Sequence, residues 1–405
     1  MVVMLTTDTN IDRRIIQEAD SLESVGWEVI IIAMPKAVKP LSGGDKRIVR
    51  LPFYPKIYKN NSKLLLLWVY RWINKCMPLS AKVRSLMRKV TWLALADIEE
   101  FYLSIFRDVV DQYKPSVFIA HDLPTLPAAF YAASKCNAKV VYDNHELYTE
   151  QEFSNLEKSK WKKLEQKYIK NCDSVITVNN LIAQELQTRY SLSDKVYVIS
   201  NALPYRDVVN VQNKIFHQKF GLNDQDKVVL FQGGLSPNRN LEQLVQAMSC
   251  VRNPLLHLVI LGNGPLERLL EDLTIKYNIT NKVHFHPAVK QEELIKYTSC
   301  ADIGIIPYQA VCLNNYYCTP NKLFEFIAAE IPILSSNLPA IEEVLNKFKI
   351  GLATDLGSAA QISKMLDWLF ENEQVLKSYK KNVGKASKEV IWEDKKFTNI
   401  FEGYR

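Results

Sequence analysis

The chain has 405 residues, 47% of them apolar and 23% charged, with a net charge of +7. That length exceeds what one hydrophobic core supports and suits two domains, and so ordinary a composition excludes disordered and fibrous classes. Seven scattered cysteines (Cys76, Cys136, Cys172, Cys250, Cys300, Cys312 and Cys318) form no CxxC pair, so neither a zinc site nor a disulfide framework is read, and reduced thiols in a cytosol are the simplest account.

In chain order, Val2–Leu5, Ile11–Ser24 and Trp27–Ala33 read as strand, helix and strand. The opening MVVMLTTDTNIDRR lacks a basic-then-apolar export signal, and no apolar run reaches the roughly 18 residues of a membrane span. A cytoplasmic protein is expected. Segment 56–95 mixes Leu, Tyr, Trp68, Trp72 and Trp92 with nine Lys or Arg residues and no acid. Such a segment can lie in a membrane interface against anionic lipid, or it can be an insertion helix packed on its own domain. Strands follow at Ser116–Ala120, Lys139–Tyr142, Ser174–Val178 and Val196–Ile199, with helices at Leu126–Lys135, Trp161–Asn171 and Ile182–Arg189. Apolar runs separated by helical segments indicate a parallel sheet covered on both faces.

PYRDVVNVQN, at 204–213, is polar and unperiodic and reads as an interdomain linker. The series then restarts. KVVLFQGGL (227–235) is a strand ending in glycines, with a helix from Leu241. LHLVILGNGP (256–265) is a strand and turn before helix Leu266–Tyr277, followed by KVHFHPAV, helix 291–299, strand DIGIIPY, a helix after Thr319, and PILSS. The final VIWEDKKFTNIFEGYR reads as an amphipathic closing helix. The expected architecture is α/β, with two doubly wound Rossmann-like domains at 1–203 and 214–385, the linker, and a closing helix at 386–405 that returns to the first domain. Ligands of open α/β sheets bind beyond the carboxyl ends of the strands, so a cleft between the domains is the expected site, with the linker as hinge.

Chemistry-bearing residues fall on those strand-to-helix turns. In FQGGLSPNRNLEQLV, Gly233 and Gly234 allow close backbone approach, and Arg239 precedes a helix start; glycines, amides and a cation suit a phosphate or diphosphate, although a tight turn with a solvated arginine has the same residues. Gly262, in GNGP, reads mainly as a turn. YDNHELYTE presents Asp143, His145 and Glu146, and IAHDLPTL presents His121 and Asp122; a histidine there can donate to a sugar or phosphate oxygen, or be a satisfied structural residue. In TPNKLFEFIAAEIPI, Thr319 is a good N-cap and Pro320 a good first helical residue, which would turn amides, Asn321 and Lys322 toward an anion. Glu325 lies among Phe324, Phe326 and Ile327, on the apolar face, three residues after Lys322. It can accept bonds from sugar or ribose hydroxyls, or make an ordinary helical ion pair.

These motifs, in this order, resemble the GT-B glycosyltransferases of the retaining family 4, glycosyltransferase group 1. The resemblance is diffuse before residue 115 and specific from 227 to 336. It implies a sugar nucleotide held mainly by the second domain, an acceptor on the first, and no metal or other cofactor. Position by position it implies that Arg239 contacts the donor diphosphate and Glu325 the ribose hydroxyls. Gly233, Gly234, Gly262, Asn321, Lys322 and Leu323 would line the donor, and His145 would lie near the transferred sugar. Asp8, Asp12 and Arg13 sit where the family has a glycine-containing loop, and with His121, Asp122 and Glu146 would form the acceptor side. The chain departs from the pattern at Tyr317, where the family often has a first glutamate, at Gly234 in place of an arginine, and at Glu330 in place of a glycine.

The implied reaction is transfer, with retention, from a nucleotide diphosphate sugar (UDP favoured over GDP) to a hydroxyl of a glycan or lipid-linked glycan in surface polysaccharide or lipopolysaccharide synthesis. Arg239, Lys322 and helix amides would stabilise the departing diphosphate, with His145 positioning rather than attacking. No paired carboxylates suggest a double-displacement hydrolase. The rivals are a sugar-nucleotide epimerase or phosphorylase of the same fold, and a catalytically silent nucleotide- or glycan-binding subunit; transfer by the purified chain separates them. No basic patch with base-reading motifs suggests nucleic acid. Membrane-surface association would rest on 56–95 alone, and no oligomeric state is legible.

Overall fold

Long uninterrupted runs of Val, Ile and Leu fix the architecture, because a strand that is apolar on both faces must be covered on both. The computed structural model describes residues 1–35, 45–52, 97–192, 196–205 and 214–405. The basic aromatic segment 56–95, and the expected linker beyond Pro204 and Tyr205, lie outside the described residues. The chain divides into two units: unit 1 is Met1–Val178, Ile182–Val198 and Asp394–Arg405, and unit 2 is Asn179–Leu181 and Ile199–Glu393.

Unit 1 is built on seven parallel strands: β1 (Val2–Thr6), β2 (Val29–Ala33), β3 (Ile48–Arg50), β4 (Val117–His121), β5 (Lys139–Asn144), β6 (Ser174–Thr177) and β7 (Val196–Val198). Their order is β3-β2-β1-β4-β5-β6-β7. The winding therefore reverses between β1 and β4, and that switch point is where such sheets open a crevice. Helix Arg13–Ser24 starts beside it, N-capped by Asp12. Its inner face buries Ile15, Ala19 and Leu22, as an amphipathic pattern requires, but also Arg14 and Glu18.

Unit 2 repeats the plan with β8 (Lys227–Gln232), β9 (Leu256–Leu261), β10 (Val283–His286), β11 (Ile303–Ile306), β12 (Ile333–Ser336) and β13 (Gly351–Thr354), in the order β10-β9-β8-β11-β12-β13. Its switch point lies between β8 and β11. The sheet runs one strand beyond PILSS, and helices Pro339–Phe348, Ala359–Glu371 and Glu373–Glu389 follow; in unit 1, helix Ile98–Val110 and the short β3 were likewise not expected.

The closing helix is not one element. Helix Glu373–Glu389 belongs to unit 2 and ends at Val390, and a short helix Asp394–Asn399 belongs to unit 1. Between them Trp392 is buried and its backbone N–H donates to Leu203 O at 2.9 Å. A backbone donor spent outside the helical ladder breaks the helix there. The tail then docks on unit 1, with Ser21 Oγ donating to Asp394 at 2.6 Å and Tyr404 pairing with Ser174 at 2.7 Å. No helix among the described residues is long and apolar enough to cross a membrane.

Candidate functional site

In unit 2 the switch point gathers cations. β8 ends at Gln232, and Gly233 turns the chain at φ +117°, a conformation that favours glycine. A Cβ at Gly262 would lie 2.0 Å from Gly233 O. The requirement for glycine at 262 is thus set by the neighbouring loop, which it braces. Gly233 and Gly234 are exposed, and Arg239 follows between Asn238 and Asn240, both at positive φ.

Helix Asn321–Ala328 faces that loop. It starts one residue later than expected: Pro320, extended at φ −66° and ψ 149°, is the N-cap and offers no side-chain cap bond. Thr319 therefore does not perform that role. Leu323, expected on the donor, is a fully buried core residue, and its amide already donates to Pro320 O at 2.9 Å. Lys322 is buried, with Nζ 3.6 Å from the centroid of Phe231 and 4.7 Å from that of Tyr308. Nζ has no hydrogen-bond partner. The Arg239 guanidinium carbon lies 4.2 Å from the same Tyr308 ring. Two cations thus converge on one aromatic face, and a Cβ on Gly233 would stand 3.4 Å from Lys322 Nζ. Burial, and then the Arg239 charge, push the Lys322 amine well below the ordinary lysine range, against the opposing pull of Glu325.

Glu325 is also buried, and not by pairing with Lys322. Its Oε2 accepts from Gln232 Nε2 at 2.6 Å, and Gln232 Oε1 accepts from Thr298 Oγ1 at 2.8 Å. Gln232, Phe231, Tyr308 and Thr298 escaped the sequence reading, since they are ordinary residues on an apolar strand, on a helix and beyond a strand end. Tyr317, in the short helix Leu313–Tyr317, is half-buried and packs its ring 5.3 Å from that of Tyr316. Glu330 stands at φ +57°, which explains why a glycine suits its position, and accepts from Ser387 Oγ at 3.0 Å.

In unit 1 the parallel register puts His121, at the end of β4, beside Asp143. β5 extends to Asn144, so Asp143 is a buried strand residue rather than part of a turn. Its Oδ2 lies 2.8 Å from His145 Nε2 and 3.1 Å from His121 Nδ1. Arg14 donates to it twice, Nε to Oδ2 at 3.0 Å and Nη2 to Oδ1 at 2.9 Å. Burial alone would raise the Asp143 carboxyl, but the Arg14 guanidinium, then His145, hold it well below the usual range. Burial would likewise lower His145, yet Asp122 and Asp143 raise it to about 10.

His121, expected on the acceptor side, is 1% exposed and held inside this cluster, so it cannot face a ligand. Asp122 is half-exposed and adopts φ 61°, ψ 160°, a sparsely populated conformation for a residue with a Cβ. Its Oδ1 accepts from the His145 amide at 3.3 Å, and burial lifts its carboxyl to about 7. Asp8 and Asp12 order the turn after β1: Asp8 Oδ2 accepts from Asp12 N at 3.1 Å, and Asp12 Oδ1 from Arg14 N at 2.8 Å. Arg13 is half-buried beside them, and Glu146 accepts from Gln151. One nitrogen of His121, one oxygen of Asp143 and one nitrogen of His145 are close enough to hold a metal ion. Arg14 already supplies a positive charge to that same carboxylate oxygen, so an added cation would meet a guanidinium there.

Comparison with known proteins matches both halves of the chain. Residues 212–389 match the family model described as glycosyl transferases group 1, and residues 100–205 that of glycosyltransferase family 4. An uncharacterized glycosyltransferase of Methanocaldococcus jannaschii is 30% identical over 42% of this chain and 44% of its own length. The chitobiosyldiphosphodolichol beta-mannosyltransferase of Candida albicans is 26% identical over 44% of this chain and 40% of its own. The chain thus spans under half the length of these two relatives. Among solved structures, sucrose-phosphate synthase from Thermosynechococcus elongatus has a TM-score of 0.72 at 16% identity, with 100% and 98% of the chains covered. WaaG, a glycosyltransferase involved in lipopolysaccharide biosynthesis, has a TM-score of 0.70 at 12% identity over the whole of both chains. HepE of Anabaena, in complex with UDP, has 0.67 at 13% over 99% and 98%. These likenesses establish the fold: two parallel-sheet Rossmann-like units of the GT-B kind.

Proposed function

We propose that this chain, whose two halves match glycosyltransferase families, transfers a sugar from a nucleotide diphosphate sugar to a hydroxyl of a glycan or lipid-linked glycan. The observation that carries the reading is Lys322: a buried amine with no hydrogen-bond partner, converging with Arg239 on Tyr308 beside a glycine turn. An orphaned buried polar group is costly, and a diphosphate oxygen is a partner of the right charge and size. As the glycosidic bond opens, its electron pair passes to the diphosphate, and Lys322, Arg239 and the start of helix Asn321–Ala328 stabilise that charge with no need for a metal ion. Glu325, pinned by Gln232, accepts from the ribose hydroxyls. His145 and Asp122 serve the acceptor side in unit 1.

Finer points rest on the family resemblance. Retention at the anomeric carbon is proposed on that basis, with the departing diphosphate taking the acceptor proton. A uridine nucleotide is favoured, in keeping with the UDP bound by a protein of the same fold. A hexosyl transfer in bacterial surface polysaccharide or lipopolysaccharide synthesis is proposed from the relatives' named roles, and peripheral membrane association from segment 56–95. The test is incubation of the purified chain with a panel of UDP- and GDP-sugars and short glycan acceptors, with the product anomer read by NMR. Transfer with retention is expected. Tyr317, standing where the family has a glutamate, favours the alternative of a silent binding subunit, and nucleotide binding without any transfer or donor hydrolysis would establish that instead.

A further inference from the structure

Unit 1 holds a buried charge chain that the donor site does not use. Arg14 and Asp143 are 3% and 0% exposed. A guanidinium held to both carboxylate oxygens leaves that carboxylate no freedom to turn. Arg14 Nε also lies 2.9 Å from Glu18 Oε1, one helical turn on. His145 is fixed in consequence. Its Nε2 lies 2.8 Å from Asp143, and Nδ1 lies 3.7 Å from Asp122 Oδ2, both side chains being partly exposed.

We propose that Arg14 and Asp143 are a positioning pair that holds His145 as an imidazolium with Nδ1 presented to the acceptor side, so that His145 is a fixed cation and donor and not a base. The inference rests on the transferase reading for its purpose but not for its geometry. The charged and titratable groups that face His145 are Asp143 from β5, His121 and Asp122 from the end of β4, Arg14 and Glu18 from helix Arg13–Ser24, and its neighbour Glu146. Burial, and then Asp143, push the Glu18 carboxyl well above its ordinary range, and burial lowers His121. Within this cluster Arg14 and His145 both face Asp143, and His145 also faces Asp122. The rise of His145 to about 10 agrees with this balance.

The test is a ¹³Cε1-histidine NMR titration of the full chain, with the His145 signal identified by its loss in His145→Gln. In the native protein His145 is expected to stay protonated from pH 6 to 9. In Arg14→Gln/Asp143→Asn, which removes both buried charges together, it is expected to titrate at lower pH than in the native protein, with Asp122 still beside it. A native His145 that titrates near 6.5, or an unchanged titration in the double variant, overturns the proposal. Should the double variant fail to fold, Arg14→Lys decides the clamp: it keeps the charge but loses the two-point grip, and kcat is expected to fall roughly tenfold or more with the donor KM unchanged. An unaltered kcat there overturns the positioning role. The expected titration in a chain with no transfer activity supports the clamp while overturning the transferase reading.

Discussion

The two units place charged side chains at the same point of the same topology, and they treat them in opposite ways. In unit 1, Arg14 donates twice to Asp143, and Asp143 in turn holds His145. In unit 2, Lys322 is as deeply buried and has no partner. Around Asp143 the charges hold one another still, which is what a preorganised side chain needs, while Glu18 and His121 Nε2 at its edge have no hydrogen-bond partner. Around Lys322 no hydrogen bond holds the amine, which is the feature the proposed diphosphate contact rests on. Burial of a charge is thus no single signal: its partners decide whether it positions or binds.

The comparison can be broken by removing one charge from each unit. Asp143→Ala strands Arg14 inside unit 1 and is expected to cost about 3–5 kcal/mol of unfolding free energy, measured by urea denaturation, with Arg14→Leu/Asp143→Leu recovering most of it. Lys322→Met should act with the opposite sign on the free protein, raising Tm, because it replaces an unpartnered buried amine with an apolar chain. A Tm loss in Lys322→Met would contradict the reading of Lys322 as an unpartnered buried amine. The same substitution should weaken UDP binding by roughly 10- to 100-fold, and Arg239→Ala, on the half-exposed turn, by less; calorimetry checks both.

A pH series sharpens the contrast further. The folded protein keeps His145 protonated to about 10, whereas an unfolded histidine releases its proton near about 6.5. Between those values the folded state binds the extra proton. Its stabilisation is therefore complete below about 6.5 and is lost as pH rises toward about 10. Urea midpoints should fall across that window in the native chain and fall less in His145→Gln; equal slopes would remove His145 from the network.

The sequence made the strands and the unit 2 site readable, because both are local. VVMLT, VFIAH and KVVLFQ are continuous apolar runs, and a lysine and a glutamate on the buried face of a short helix have no purely structural excuse. The unit 1 clamp was illegible because Arg14 and Asp143 are 129 residues apart and meet only through the strand order. Gln232 and Glu325 are likewise separated by 93 residues. His121 looked like a turn residue, but its last-residue place on an inner strand buries it. Thr319 looked like a cap, but the extended Pro320 takes that place. The closing helix looked continuous because its periodicity carries across Trp392, whose backbone bond to Leu203 no pattern reveals.

The proposal that Lys322 binds a diphosphate is tested most directly at its amine, which burial and the Arg239 charge hold well below the ordinary lysine range. Calorimetric titration of UDP at neutral pH, repeated in buffers of different ionisation enthalpy, measures the protons that accompany binding. Net proton uptake in the native chain, abolished together with most of the affinity in Lys322→Met, is the predicted result. UDP binding of native strength to Lys322→Met would contradict it.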